Sequence, residues 1–134
     1  MNGDIFDFDS VTAIPEDATF RVTWLERKRG LHPQEEKSVY KMKRILSHHP
    51  LWVETMRDFL KRGHRAVFII GNHDLDLHFP KVQEVLFDSL CETEKERQLM
   101  RVNEWFYISN KDTLIEHGNQ HDPYCLSHDP IRSE

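Results

Sequence analysis

One stretch, His64-Arg-Ala-Val-Phe-Ile-Ile-Gly-Asn-His-Asp74, constrains the fold more than any other. Ala66 to Ile70 is an unbroken apolar run of mostly β-branched and aromatic side chains, ended by Gly71. So short a run reads as a strand covered on both faces, the kind found in parallel sheets. Asn72, His73 and Asp74 follow at once. In open α/β sheets ligands sit at the carboxyl ends of the strands, so these polar side chains arrive where chemistry is usually carried out. Gly71 is expected to let the backbone turn sharply and present Asn72 and His73 to one centre.

The flanking segments supply a helical frame. Gln34 to His49 carries an apolar stripe of Val39, Tyr40, Met42, Ile45 and Leu46, with Glu35 and Glu36 at the end the helix dipole favours. Pro50 starts a second helix, which buries Leu51, Trp52, Met56, Phe59 and Leu60 and closes at Gly63. Helix, glycine, strand is the second half of a βαβ crossover. A third helix is expected from Pro80, marked by Val82, Val85, Leu86 and Leu90, and Glu92 to Arg97 continues it as a solvated face. Trp105–Ile108 and Thr113–Ile115 read as strands of a hairpin, because Asn110 and Asp112 between them are turn formers. Residues 9–33, punctuated by Pro15, Gly30 and Pro33, form a long connection. Two readings stand for it: a lid or binding loop, or an insertion draped on the surface.

Composition narrows the function. At 134 residues the chain suits one domain with one core. The net charge of -5 provides no global basic field, which argues against nucleic-acid binding, although Arg21, Arg27, Lys28 and Arg29 are candidates for a local basic patch. No apolar run approaches the roughly 20 residues a membrane helix needs. Met1 is followed by an acidic stretch and not by a signal-peptide pattern, so a cytoplasmic location is expected. Cys91 and Cys125 lack metal-ligand spacing and read as free thiols.

Gly71-Asn72-His73-Asp74 after its strand resembles the central motif of the calcineurin-like metallophosphoesterases. Asn2-Gly3-Asp4-Ile5-Phe6-Asp7-Phe8 is similar to that family's Gly-Asp-x-x-Asp motif, and Leu114-Ile115-Glu116-His117-Gly118 to its later strand-then-His-Gly motif. Taken singly, Asp4 and Asn72 also suit turns, and His117 a strand edge. Three motifs in the family's order make a specific signal.

The resemblance implies an α/β fold, the family's α/β/β/α sandwich truncated at both ends, with residues 1–134 a single partial domain. It implies two divalent metal ions (manganese, iron or zinc), with Asp4 bridging them and Asn72 and His117 as further ligands. It makes His73 the general acid and Asp7 the carboxylate paired with it. The implied reaction is hydrolysis of a phosphoester or pyrophosphate bond by metal-bound hydroxide. The substrate would be a phosphorylated small molecule, lipid-linked or nucleotide. His78 and Tyr124 are candidates for contact with it, and His121 for the rim of the site. His128 and Asp129 read as ordinary loop residues. The family's Asp-x-His and Gly-His-x-His motifs do not occur in this sequence. One metal site thus keeps Asp4, Asn72 and His117, and the other only Asp4. The expectation is a phosphoesterase whose isolated 134-residue stretch is inactive. A non-catalytic scaffold that keeps the fold is the alternative, and a gene fragment without independent function a third reading.

Overall fold

Ala66–Ile69 forms strand β1, and it takes the central place the apolar run demands. The computed structural model describes residues 1–125, so His128 and Asp129 lie outside the described residues. The helices are α1 (Trp24–Arg29), α2 (Glu35–His48), α3 (Pro50–Lys61), α4 (Pro80–Leu90) and α5 (Glu94–Arg97). Strands β2 (Met100–Asn103), β3 (Phe106–Ser109) and β4 (Thr113–Glu116) follow, with 3-10 turns at Leu75–His78 and Asn119–His121.

β1 pairs in parallel with β2, from Ala66 opposite Met100 to Ile69 opposite Asn103. Its other edge is met by the first two residues. The Ile69 N–H donates to the Met1 carbonyl at 3.0 Å, and the Met1 ammonium donates to the Val67 carbonyl at 2.7 Å. Asn2 forms a single parallel bridge with Ile69. The segment before Gly3 therefore lies along the other edge of β1, although two residues gave the sequence no strand pattern to show.

Residues Ala66, Phe68 and Ile70 share one face of β1 and join the main apolar core. Met42 and Leu46 of α2, Val53, Met56 and Leu60 of α3, and Val82, Leu86 and Leu90 of α4 complete that core. Helical spacing gives each helix its stripe. Pro50 and Pro80 each occupy the first turn, where a missing N–H costs nothing. Phe6 and Phe8 are buried in the same core. The Phe6 ring stacks on Phe68 with centroids 6.2 Å apart and meets Trp52 edge-on at 5.4 Å. Asp7 stands between two buried phenylalanines, so core packing fixes where it emerges.

β3 and β4 form the expected antiparallel hairpin, Phe106 opposite Glu116 and Ser109 opposite Thr113. Among the described residues the strands make two separate two-stranded sheets, one parallel and one antiparallel. The chain is thus a mixed α/β protein. The segment from Glu92 is not a continuation of α4: Cys91 is extended and ends that helix, and Thr93 caps the short α5. Both cysteines are free thiols, as expected.

Residues 9–33 are more ordered than their punctuation suggests. They contain α1, whose Thr23 and Glu26 form a reciprocal capping box. Glu26 is buried, and four donors meet its carboxylate. Oε1 accepts from Lys37 Nζ at 2.6 Å and the His32 N–H at 3.1 Å, and Oε2 from the Thr23 N–H at 2.8 Å and hydroxyl at 2.9 Å. Lys37, then the Thr23 N–H, hold the Glu26 carboxyl far below the ordinary carboxylate range, against its burial. A lowered carboxylate contributes stability that is present above its unfolded titration range and lost as pH falls. Glu26→Gln should therefore flatten the acid limb of the stability–pH curve below about pH 4.5. It should also speed amide exchange at Thr23 and His32; denaturation across pH and hydrogen exchange check both.

Candidate metal centre

Three stretches far apart in sequence meet at the carboxyl end of β1. Asp74 joins two of them. Its carboxylate is buried, with Oδ2 accepting from the Ile5 N–H at 2.9 Å and Oδ1 from the Gly71 N–H. Burial pushes the Asp74 carboxyl up, with Asp4 adding to the rise, while the N–H donors pull the other way. Unlike Asn72 and His73, Asp74 was given no role by the motif; its work is to tie the loop after β1 to the segment that carries Asp4.

Asp4 sits in the left-handed region at φ 49°, a conformation Asp tolerates better than most side chains but still at a cost. Its Oδ1 accepts from the His73 N–H at 2.9 Å. Its Oδ2 lies 3.2 Å from His117 Nε2, and the same Nε2 is 3.2 Å from Asn72 Oδ1. Two glycines permit this approach. A methyl group at Gly71 would overlap the Asp4 carboxylate, and one at Gly3, whose φ is +71°, would overlap the His117 ring. Gly71 has no positive φ, so its role is close backbone approach and not the sharp turn expected from the sequence.

The convergence of Asp4, Asn72 and His117 defines a donor set. His117 Nδ1 is 3.0 Å from the Asn2 carbonyl. A carbonyl only accepts, so Nδ1 carries the proton and donates. In the neutral ring Nε2 is then a lone pair facing a carboxylate and an amide oxygen. Three acceptors at this range repel one another unless a cation, or a second ring proton, lies between them. Ligands bound at about 2.0–2.2 Å and about 90–109° apart are themselves about 3–3.5 Å apart. The two 3.2 Å separations fit one ion shared by these atoms.

Among the described residues no three of His, Cys, Asp and Glu gather in a metal-binding group. The Asp4–Asn72–His117 trio draws its third donor from an amide. Both oxygens of Asp74 accept N–H groups, and Asp4 Oδ1 accepts one from His73, which leaves Asp4 Oδ2 as the carboxylate oxygen facing the imidazole.

His73 is held beside Asp4 through its backbone, with its ring toward Asp7. Nδ1 lies 3.8 Å from Asp7 Oδ1, an ion-pair distance beyond hydrogen-bond range, and both side chains are about half exposed. Asp7 Oδ1 accepts instead from the Asp9 and Ser10 N–H groups, both at 3.1 Å. Beside Asp7 opens a cavity of about 280 Å³ whose lining includes Phe6, Ser10, Ile45, His49 and Trp52.

Among the described residues no hydrogen bond joins the candidate substrate contacts His78 and Tyr124 to the side chains of this cluster. His78 Nδ1 faces the Leu75 carbonyl at 2.7 Å, and its ring rests on Phe79. Tyr124 is 97 % exposed. His121 pairs with Glu116 at 2.8 Å on the far side of His117 in the chain.

No protein-family model, curated protein or solved structure matches this chain.

Asp74→Ala should remove the tie and leave the Ile5 and Gly71 N–H groups without an acceptor. The expected loss is about 3 kcal/mol of stability, read from urea denaturation.

Proposed function

We propose that the Asp4–Asn72–His117 cluster is a divalent-metal centre of a phosphoesterase, acting on a phosphoester or pyrophosphate bond. The observation that carries this reading is the approach of Asp4 Oδ2 and Asn72 Oδ1 to a single imidazole nitrogen. One carboxylate, one amide and one imidazole suit manganese, iron or zinc better than calcium. The family sandwich implied by the motifs is part of the same proposal.

A bound ion would polarise a phosphoryl oxygen and lower the pKa of a coordinated water. The chain's own residues supply the rest. Asp4 and His117 add one negative charge and one neutral donor, leaving net positive charge at the ion to attract phosphate. Asn2 fixes the His117 tautomer through Nδ1. The half-exposed His73 ring is free to deliver a proton to a leaving oxygen, with the Asp7 carboxylate 3.8 Å from its Nδ1. The cavity beside Asp7 offers room for the group attached to phosphorus. Phosphorylated small molecules, including lipid-linked and nucleotide substrates, fall within this reading, and no helix among the described residues is long and apolar enough to cross a membrane.

A second reading, a scaffold without metal, is favoured by one feature. A second proton on the His117 ring, at Nε2, would donate to Asp4 Oδ2 and Asn72 Oδ1, and the cluster would close as ordinary hydrogen bonds. Metal titration separates the two. Manganese should bind with a stoichiometry of one, and His117→Ala should weaken it at least about 100-fold. No heat of binding, or binding unaffected by His117→Ala, would leave the scaffold reading. Because a second ion lacks ligands among the described residues, an aryl phosphate with manganese should show no turnover. Robust metal-dependent turnover would overturn that part.

A further inference from the structure

The basic patch noticed in the sequence lies in α1 and, through Arg21, just before it. Arg21, Arg27, Lys28 and Arg29 are all exposed, and none is ion-paired to a described residue. Trp24 is 70 % exposed and Leu25 38 %. The Lys28 ammonium lies over the Trp24 ring, 4.2 Å from its centre. Between Asp17 and Glu35 the sequence has one acid, Glu26, and it is turned inward and neutralised by Lys37.

The helix geometry produces this segregation. At about 100° per residue, Glu26 lies about 160–200° around the axis from Trp24 and Lys28. Burying Glu26 therefore forces Trp24 and Lys28 to the opposite face, with Arg27 and Leu25 on either side. The result is an outward surface that is cationic and apolar, on a chain whose overall charge is -5.

We propose that α1 docks the protein on an anionic lipid surface. Trp24 and Leu25 enter the headgroup region, and Arg21, Arg27, Lys28 and Arg29 face lipid phosphates and carboxylates. An aromatic ring and an aliphatic side chain framed by cations is the composition that partitions into a bilayer interface. Nucleic acid fits less well. Single strands need successive aromatic platforms, and the nearest other ring in the segment, Phe20, is half-buried against Tyr40. The proposal does not depend on the metal centre.

Cosedimentation of the full chain with vesicles tests it. Phosphatidylcholine vesicles containing 30 mol % phosphatidylserine, about the anionic content needed for such an electrostatic pull, should retain the protein. Pure phosphatidylcholine should not, and binding should fall as salt rises. Each cation adds roughly fivefold to partitioning, so R27E/K28E and R21E/R29E, which remove two cations and add two anions, should each lower binding at least about 25-fold. K95E/R101E, the same charge change at exposed positions elsewhere, should leave binding within about threefold of wild type. Trp24→Phe should abolish the lipid-induced blue shift of fluorescence while circular dichroism stays unchanged. Equal retention by neutral vesicles, no retention at low salt, or loss of binding in K95E/R101E as large as in R27E/K28E would overturn the proposal. So would preferential binding to single-stranded polyuridylate that displaces the vesicles.

Discussion

The structure depends on one buried carboxylate. Asp74 has no water to solvate it and instead accepts backbone N–H groups from Ile5 and Gly71, two segments more than sixty positions apart in the chain. A buried charge is tolerated only where hydrogen bonds replace its solvation. This carboxylate therefore enforces a single relation between the amino-terminal segment and the loop after β1. Asp4 precedes one of its donors, and Asn72 follows the other. The geometry of the candidate site is set by a residue that is not one of its donors.

Around that tie, each layer of structure removes a degree of freedom from the site. Phe6 and Phe8 sink into the core on either side of Asp7 and prevent the segment from rotating. The Met1 and Asn2 backbone lies along β1 and presents the Asn2 carbonyl to His117. Gly3 and Gly71 keep the space that two side chains would fill. The φ of Asp4, 49°, is the residual strain of forcing a carboxylate into this corner. Such strain persists where surrounding contacts over-determine the conformation, and here they include two buried aromatic rings and the buried Asp74 carboxyl group.

Much of this was legible in the sequence, for identifiable reasons. β1, α2, α3, α4 and the β3–β4 hairpin announce themselves through periodicity and punctuation, because each buries a regular face. The grouping of Asp4, Asn72 and His117 was legible only through motif order, since no local pattern brings together residues so distant in the chain. β2 was missed because Met100–Asn103 mixes buried, exposed and half-buried positions in four residues. α1 was missed although Thr23 and Glu26 carry a capping-box signature; a six-residue helix has no room for an apolar stripe, and its buried side chain is a glutamate. The contacts expected of His78 and Tyr124 rested on nearness in sequence, which says little about which way a side chain leaves a turn.

The account stands on three side-chain atoms sharing one cation. Crystals grown with manganese and measured for anomalous scattering at its absorption edge test this most directly. A single strong peak is predicted, within about 2.0–2.3 Å of Asp4 Oδ2, Asn72 Oδ1 and His117 Nε2. A map with no peak there would contradict it.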